Sequence, residues 1–127
     1  MNKQITVYVE FEKENVSDSK LTEIVEAVST YDEYGEPDTL ISEWFLSPNK
    51  STCTLIGRYA DSRSFLYHMD RFLTGPHFKN INENIRPMKL SIYGNASDDV
   101  IQFFSDSDIF TPTFHTYIGG YARDTIN

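Results

Sequence analysis

Residues 58–72 read RYADSRSFLYHMDRF, and the fold turns on how this stretch is read. It begins as the end of a strand and becomes a helix. Asp61 offers a side-chain oxygen to the free amides of a first helical turn. From there Phe65, Leu66, Met69, Phe72 and Leu73 fall at i, i+1, i+4, i+7 and i+8, one apolar stripe of a helix. His68 stands about 100° from the middle of that stripe, on its flank. Thr74, Gly75 and Pro76 stop the helix, and Pro76 is placed to restart one at its first position. Phe78, Ile81 and Ile85 continue the apolar spacing as far as Pro87.

Working toward the N-terminus, STCTLIGRY (51–59) and TLISEWFLS (39–47) read as two strands joined by a short hairpin turn at Pro48 and Asn49. Leu40, Trp44 and Leu46 share one face, as do Cys53, Leu55 and Tyr59. The opposite faces, Ile41, Glu43 and Phe45 with Thr54, Ile56 and Arg58, are mixed, a composition suited to contact with another chain. Before them, DEYGEPD (32–38) reads as a loop. It follows a helix capped by Ser17 and carrying Leu21, Ile24, Val25, Val28 and Tyr31 at helical spacing. ITVYVEF (5–11) alternates Ile5, Val7, Val9 and Phe11 against Thr6, Tyr8 and Glu10, a strand with one apolar face.

Toward the C-terminus, MKLSIYG (88–94) is a further strand, with Met88, Leu90 and Ile92 on one face. Ser97 then caps a short acidic helix with Val100, Ile101, Phe103 and Phe104 as its apolar contacts. FTPTFHTYIGGYAR (110–123) reads as a final extended segment. The order is βαββαβ, the ferredoxin-like arrangement of the α+β class: two helices over one face of an antiparallel sheet. A chain of 127 residues fits one domain with an adequate core. The expected organisation is a single domain spanning 1–127, with a core at 3–95 and a C-terminal extension of short helix and tail at 96–127.

Charge narrows the function classes. The net charge is −8, and residues 10–38 alone hold ten acids against two lysines. These acids read as a solvated outer face, and the acidic balance argues against nucleic acid, which requires a basic footprint. One cysteine, Cys53, excludes an internal disulfide and a cysteine-based zinc site. The three histidines, His68, His77 and His115, form no i, i+4 pair, and no phosphate loop, dinucleotide fingerprint or nucleophile elbow occurs. No metal set is expected. No apolar run approaches the roughly 18 residues of a membrane span, and the start of the sequence lacks a signal peptide's apolar core. A cytoplasmic protein without membrane contact is the expectation.

The segments EPDTLISEWFLS (36–47), RYADSRSFLYHM (58–69), SIYGNAS (91–97) and GGYAR (119–123) resemble the antibiotic-biosynthesis-monooxygenase-like family. Their shared pattern is a Glu-Trp strand, then Tyr-x-Asp-Ser opening a helix, then His, then Tyr-Gly before a Ser. The resemblance implies a dimeric α/β barrel: a homodimer whose sheets pack face to face, with a cavity in each chain between sheet and helices. It also implies oxidation of a small aromatic or quinol-like compound by O₂ without a metal or flavin cofactor. Trp44, Tyr59, His68 and Tyr93 fall on the resembling motifs.

His68 has two readings. As a catalytic residue it is a general base for a phenolic proton, a task suited to an imidazole, which ordinarily titrates near ~6.5. As a structural residue it is a histidine at a buried edge, bonded to a backbone carbonyl. Trp44 either stacks on an aromatic ligand or fills the gap between sheet and helix. Tyr59 and Tyr93 either donate to a developing oxyanion or satisfy themselves at a surface edge. The enzyme hypothesis expects an apolar pocket of a few hundred Å³ in which Trp44, Tyr59, Phe65, Met69, Phe72 and Tyr93 bind substrate around His68. The competing hypothesis is a non-catalytic homodimer, a small-ligand binder or structural module, whose interior those same aromatics fill. His115 is a candidate to reach a pocket or a partner chain.

Overall fold

The computed structural model describes residues 2–107 and 110–123. In chain order the elements are β1 (Ile5–Lys13), α1 (Asp18–Gly35), β2 (Thr39–Leu46), β3 (Thr52–Tyr59), α2 (Ser62–Thr74), α3 (Phe78–Asn84), β4 (Ile85–Tyr93), α4 (Asp98–Asp106) and β5 (Thr113–His115). The strands form one sheet in the order β2-β3-β1-β4-β5. β1 lies in the middle, antiparallel to both β3 and β4. This is the ferredoxin-like α+β fold that the sequence predicts. The extended tail adds a fifth strand, β5, which runs parallel to the end of β4 through Ser91–Thr113, Ile92–Phe114 and Tyr93–His115.

Strand register explains which face is buried. Val7 stands opposite Gly57 and Ile92, and Val9 opposite Leu55 and Leu90, so the apolar alternation of β1 is continued on both sides. Ile5, Val7, Tyr59, Phe65, Ile92, Val100 and Phe104 form one buried cluster. Leu21, Ile24, Val28, Cys53, Ile81 and Ile85 form a second toward the other end of the sheet. Removing one such side chain, Phe65, would cost about 3–5 kcal/mol, the usual scale for a buried aromatic truncated to Ala.

Two irregularities depart from the strict alternation of the sequence. β2 pairs Thr39 with Tyr59 but Ile41 with Arg58, so Leu40 is an extra residue in that strand. Ser42 and Trp44 then face the helices, while Leu40 and Leu46 remain about half exposed. In β4, Pro87 stands opposite Phe11 and Lys89 opposite Glu10, so Met88 is the extra residue. Pro87 takes the inward position expected of Met88, which is 38% exposed. A single inserted residue exchanges the facing of all that follow. Pro87 has β1 on one side only, because β5 joins β4 from Ser91 onward, so it sits at an edge of the ladder, where proline is tolerated.

The helices start as expected. Ser17, Asp61 and Ser97 accept the amides of Lys20, Ser64 and Val100. Three boundaries differ, one being that α3 ends at Asn84 and β4 begins at Ile85, so Ile85 is a strand residue and not a continuation of the helix. α1 runs through the expected loop as far as Gly35, because Asp32 and Glu36 find partners on α2. α3 begins at Phe78 with His77 at its cap, so Pro76 lies in the preceding turn and not at the first helical position.

Candidate functional site

α1 and α2 bring together four polar side chains at the edge of the inner sheet face. His68 is 9% exposed, Asp32 7% and Glu36 3%. The Nδ1 of His68 lies 2.7 Å from Glu36 Oε1 and 3.9 Å from Asp32 Oδ2, the latter beyond hydrogen-bond range. Glu36 also accepts from the Thr39 hydroxyl at 2.8 Å and from Arg71 Nη1 at 3.1 Å. The Arg71 guanidinium carbon lies 4.0 Å from the centre of the Tyr31 ring. Gly35 leaves space for it, because a Cβ there would overlap the guanidinium.

These contacts set the charge of the two acids. Burial disfavours ionised Glu36, yet the hydrogen bond and charge of His68, with the Thr39 hydroxyl, hold its carboxyl below the usual glutamate value. Asp32, one turn earlier, is pushed up to about 7 by burial, with the charge of Glu36 and a hydrogen bond to it adding to the effect and His68 and Arg71 opposing it. Donor atoms of Asp32, Glu36 and His68 lie within 4.8 Å of one another, a grouping the sequence reading did not anticipate. Glu36 is engaged by His68, Thr39 and Arg71, and Arg71 supplies a counter-charge, so the grouping forms a hydrogen-bonded ion-pair network. A carboxylate accepting from Nδ1–H leaves Nε2 as the basic nitrogen of the imidazole.

Beside this cluster lies a cavity of about 120 Å³ between the sheet and the helices. It is smaller than the few hundred Å³ expected, because Phe104 and Phe110 from the C-terminal extension also line it. Its walls are apolar apart from Asp32, Ser42, Tyr59 and His68. Of the sequence-predicted residues, Trp44, Tyr59, Phe65, His68, Met69 and Phe72 all line this space. Tyr59 is buried, and its ring centre lies 5.1 Å from those of Phe65 and His68. Gly57 allows this, since a Cβ there would stand 2.7 Å from the Tyr59 hydroxyl. Burial raises the tyrosine's pKa, with Glu36 and Asp32 adding to it, so the phenol stays protonated, a donor rather than a base. The surface-edge reading of Tyr59 is thereby corrected. The backbone-carbonyl reading of His68 is corrected likewise, since its partner is a carboxylate.

Tyr93 is not brought to the cavity. It pairs with Thr6 on the outer sheet face, 43% exposed, and stacks on His115 with ring centres 4.5 Å apart. His77 packs edge-on against Tyr31, away from the cavity lining.

Sequence reasoning missed Asp32 and Glu36, which it counted among the solvated acids. A usable signal was present. The stripe Leu21, Ile24, Val28 continues at i+4 to Asp32 and then to Glu36, so both acids stand where the helix wheel expects core.

The sheet order and the helices on one face are the ferredoxin-like α+β fold shared with antibiotic-biosynthesis-monooxygenase-like structures. Solved structures bear this out. MupZ from Pseudomonas fluorescens superposes with a TM-score of 0.69 over 99% of each chain at 12% identity. SnoaB, a cofactor-independent oxygenase from Streptomyces nogalater, superposes with a TM-score of 0.60 over 75% of this chain and 95% of its own, at 10% identity. A candidate antibiotic biosynthesis monooxygenase from Caulobacter crescentus gives 0.59 over 72% and 88%, at 12% identity. No protein-family model matches the sequence, and no curated protein matches it. Among the described residues, no helix is long and apolar enough to cross a membrane.

Proposed function

We propose that this chain is a cofactor-independent monooxygenase of small, single-ring phenols or quinols. The observation that carries the reading is the His68 imidazole, held by Glu36 through Nδ1 in the wall of an apolar cavity. Apolar cavities of about 150 Å³ accept benzene, so a space of about 120 Å³ suits one ring and not a fused system. Nε2 of His68 takes the phenolic proton, and the electron-rich phenolate is the species that reacts with O₂. The ring supplies every electron. In a phenol a C–H para to the hydroxyl becomes C=O, and in a hydroquinone a C–H ortho to a hydroxyl takes the oxygen as the ring becomes a hydroxyquinone; in each case one oxygen atom is retained and the other leaves as water. Tyr59 donates to the developing oxygen anion, and Trp44, Phe65, Met69 and Phe72 hold the ring.

The chain acts as a homodimer in this reading. Ile41 and Phe45 on the outer sheet face are 37% and 50% exposed, and Tyr93 lies on the same face. Light scattering checks this, and a stable monomer counts against it.

The test is oxygen uptake with a panel of monocyclic phenols and hydroquinones, with no flavin or metal added. His68→Ala is expected to lower the rate about 10²–10⁴-fold, the contribution of a positioned base, with the circular dichroism spectrum unchanged. Turnover that persists in His68→Ala overturns the assignment. Binding of the panel without any oxygen uptake favours a non-catalytic ligand-binding module of the same fold.

A further inference from the structure

Every side chain that takes part in the oxidation belongs to the core at 3–95, yet the cavity wall is completed from outside that core. Phe104 of α4 lines the same space as Trp44 and Phe72 and is 6% exposed. Val100, one turn earlier, is fully buried, so one face of α4 points inward at i and i+4. The start of α4 is tied to the start of α2, where the Ser97 amide donates to the Ser62 hydroxyl at 3.0 Å.

The rings beside the cavity form a run that ends at α4. Tyr59 lies 5.1 Å from His68, and Phe65 lies 5.1 Å from Tyr59. Phe104 follows, its ring 6.2 Å from that of Phe65 and only 24° from parallel. Phe103 and Phe114 meet Phe104 edge-on at 5.0 Å and 6.4 Å. Three aromatic neighbours therefore fix its ring, and a close-packed ring of this kind does not swing aside freely.

We propose that Phe104 is the specificity-determining residue for ring number: its side chain fills the place that a second, fused ring of the ligand would take, so the chain accepts monocyclic phenols and rejects bicyclic ones. This rests on the cavity being the substrate site. Shortening Phe104 leaves a dry space joined to the cavity, and apolar spaces of that kind take up aromatic rings. Phe72 offers the contrast. It lines the cavity but packs against the second buried cluster, toward the other end of the sheet, whereas Phe104 belongs to the first. Widening at Phe72 therefore adds space away from the run of rings.

The test is calorimetric titration of phenol and 1-naphthol under nitrogen at pH 7, where both are neutral. The native chain is expected to bind 1-naphthol at least about tenfold more weakly than phenol. Phe104→Ala is expected to reverse that order by about tenfold, the scale on which a pocket senses small changes of apolar size. Phe104→Leu, a milder truncation, should gain naphthol affinity by a smaller factor, and Phe72→Ala should gain less than Phe104→Ala.

Naphthol binding to the native chain as tightly as phenol overturns the proposal. So does a Phe104→Ala chain that gains no naphthol affinity, or an equal gain in Phe72→Ala. An equal gain for phenol in Phe104→Ala does the same, since the cavity has then only loosened. If Phe104→Ala does not fold, Phe104→Leu and the native preference still decide. Binding is measured without oxygen, so the two ideas fail separately. Phenol binding with the expected ring preference but no oxygen uptake removes the oxidation alone. Oxygen uptake with phenol but no ring preference removes the role of Phe104 alone.

Discussion

The two ends of α1 carry the same kind of side chain in opposite surroundings. At its start Asp18 lies at the surface and bridges Lys13 and Lys50, with Lys13 chiefly holding its carboxyl below the usual range. At its end Asp32 and Glu36 are buried against α2, one raised and one lowered. Composition cannot separate these cases. What separates them is the exposure of the acids and the neighbouring element: Asp18 stays at the surface between Lys13 of β1 and the exposed Lys50 of the hairpin, whereas Asp32 and Glu36 are covered by His68 and Arg71 of a packed helix.

That contrast can be broken in graded ways. Glu36→Ala should have the largest effect, since it leaves the buried His68 and the part-buried Arg71 without their acceptor. A loss of about 3–5 kcal/mol is the scale for breaking a buried pair from one side, read by chemical denaturation beside Asp18→Ala as the surface control. Equal losses in the two variants would abolish the distinction between the ends.

Gly35→Ala should come next. Its new methyl displaces the Arg71 guanidinium and should cost about 1–3 kcal/mol, as overpacking does. The partner variant Arg71→Ala should absorb most of that cost in a double-mutant cycle. Additivity of the two changes would mean that Gly35 acts elsewhere.

Asp32→Asn should act with the opposite sign and by an amount that depends on pH. The native carboxyl titrates near 7 against an ordinary 3.8, so between those values the folded chain holds a proton that the unfolded chain has released. Stability conferred by that proton is complete below about pH 3.8 and is lost as pH rises to 7. The melting temperature of Asp32→Asn should therefore match that of the native chain near pH 4 and exceed it by a margin that grows to a plateau above pH 7. A constant difference across pH would show that Asp32 does not titrate in the fold as described.

The fold was legible because alternation in β1 and β3 and helical spacing in α1 and α2 are written in bulky aliphatic and aromatic residues whose burial dominates. The flank position of His68 was legible for the same reason. Leu40 and Met88 were not. An inserted residue leaves the written alternation intact and changes only the facing, which hydrogen bonds between strands decide. Asp32 and Glu36 were hidden by their setting, since Gly35 and Pro37 beside them carry the chemistry of a loop. The contact that draws the helix onward, Glu36 to His68, spans 32 residues. Tyr93 followed a motif, but its register with Thr6 sends it to the outer face.

The central position of β1 has a consequence for how the chain acquires this shape. Its hydrogen-bonding partners are β3 and β4, the second of them reaching to Tyr93. A ribosome therefore exposes an aliphatic strand long before either neighbour can cover it, and local helix formation must precede closure of the sheet. During synthesis the segment most in need of shielding is the one that ends up deepest inside.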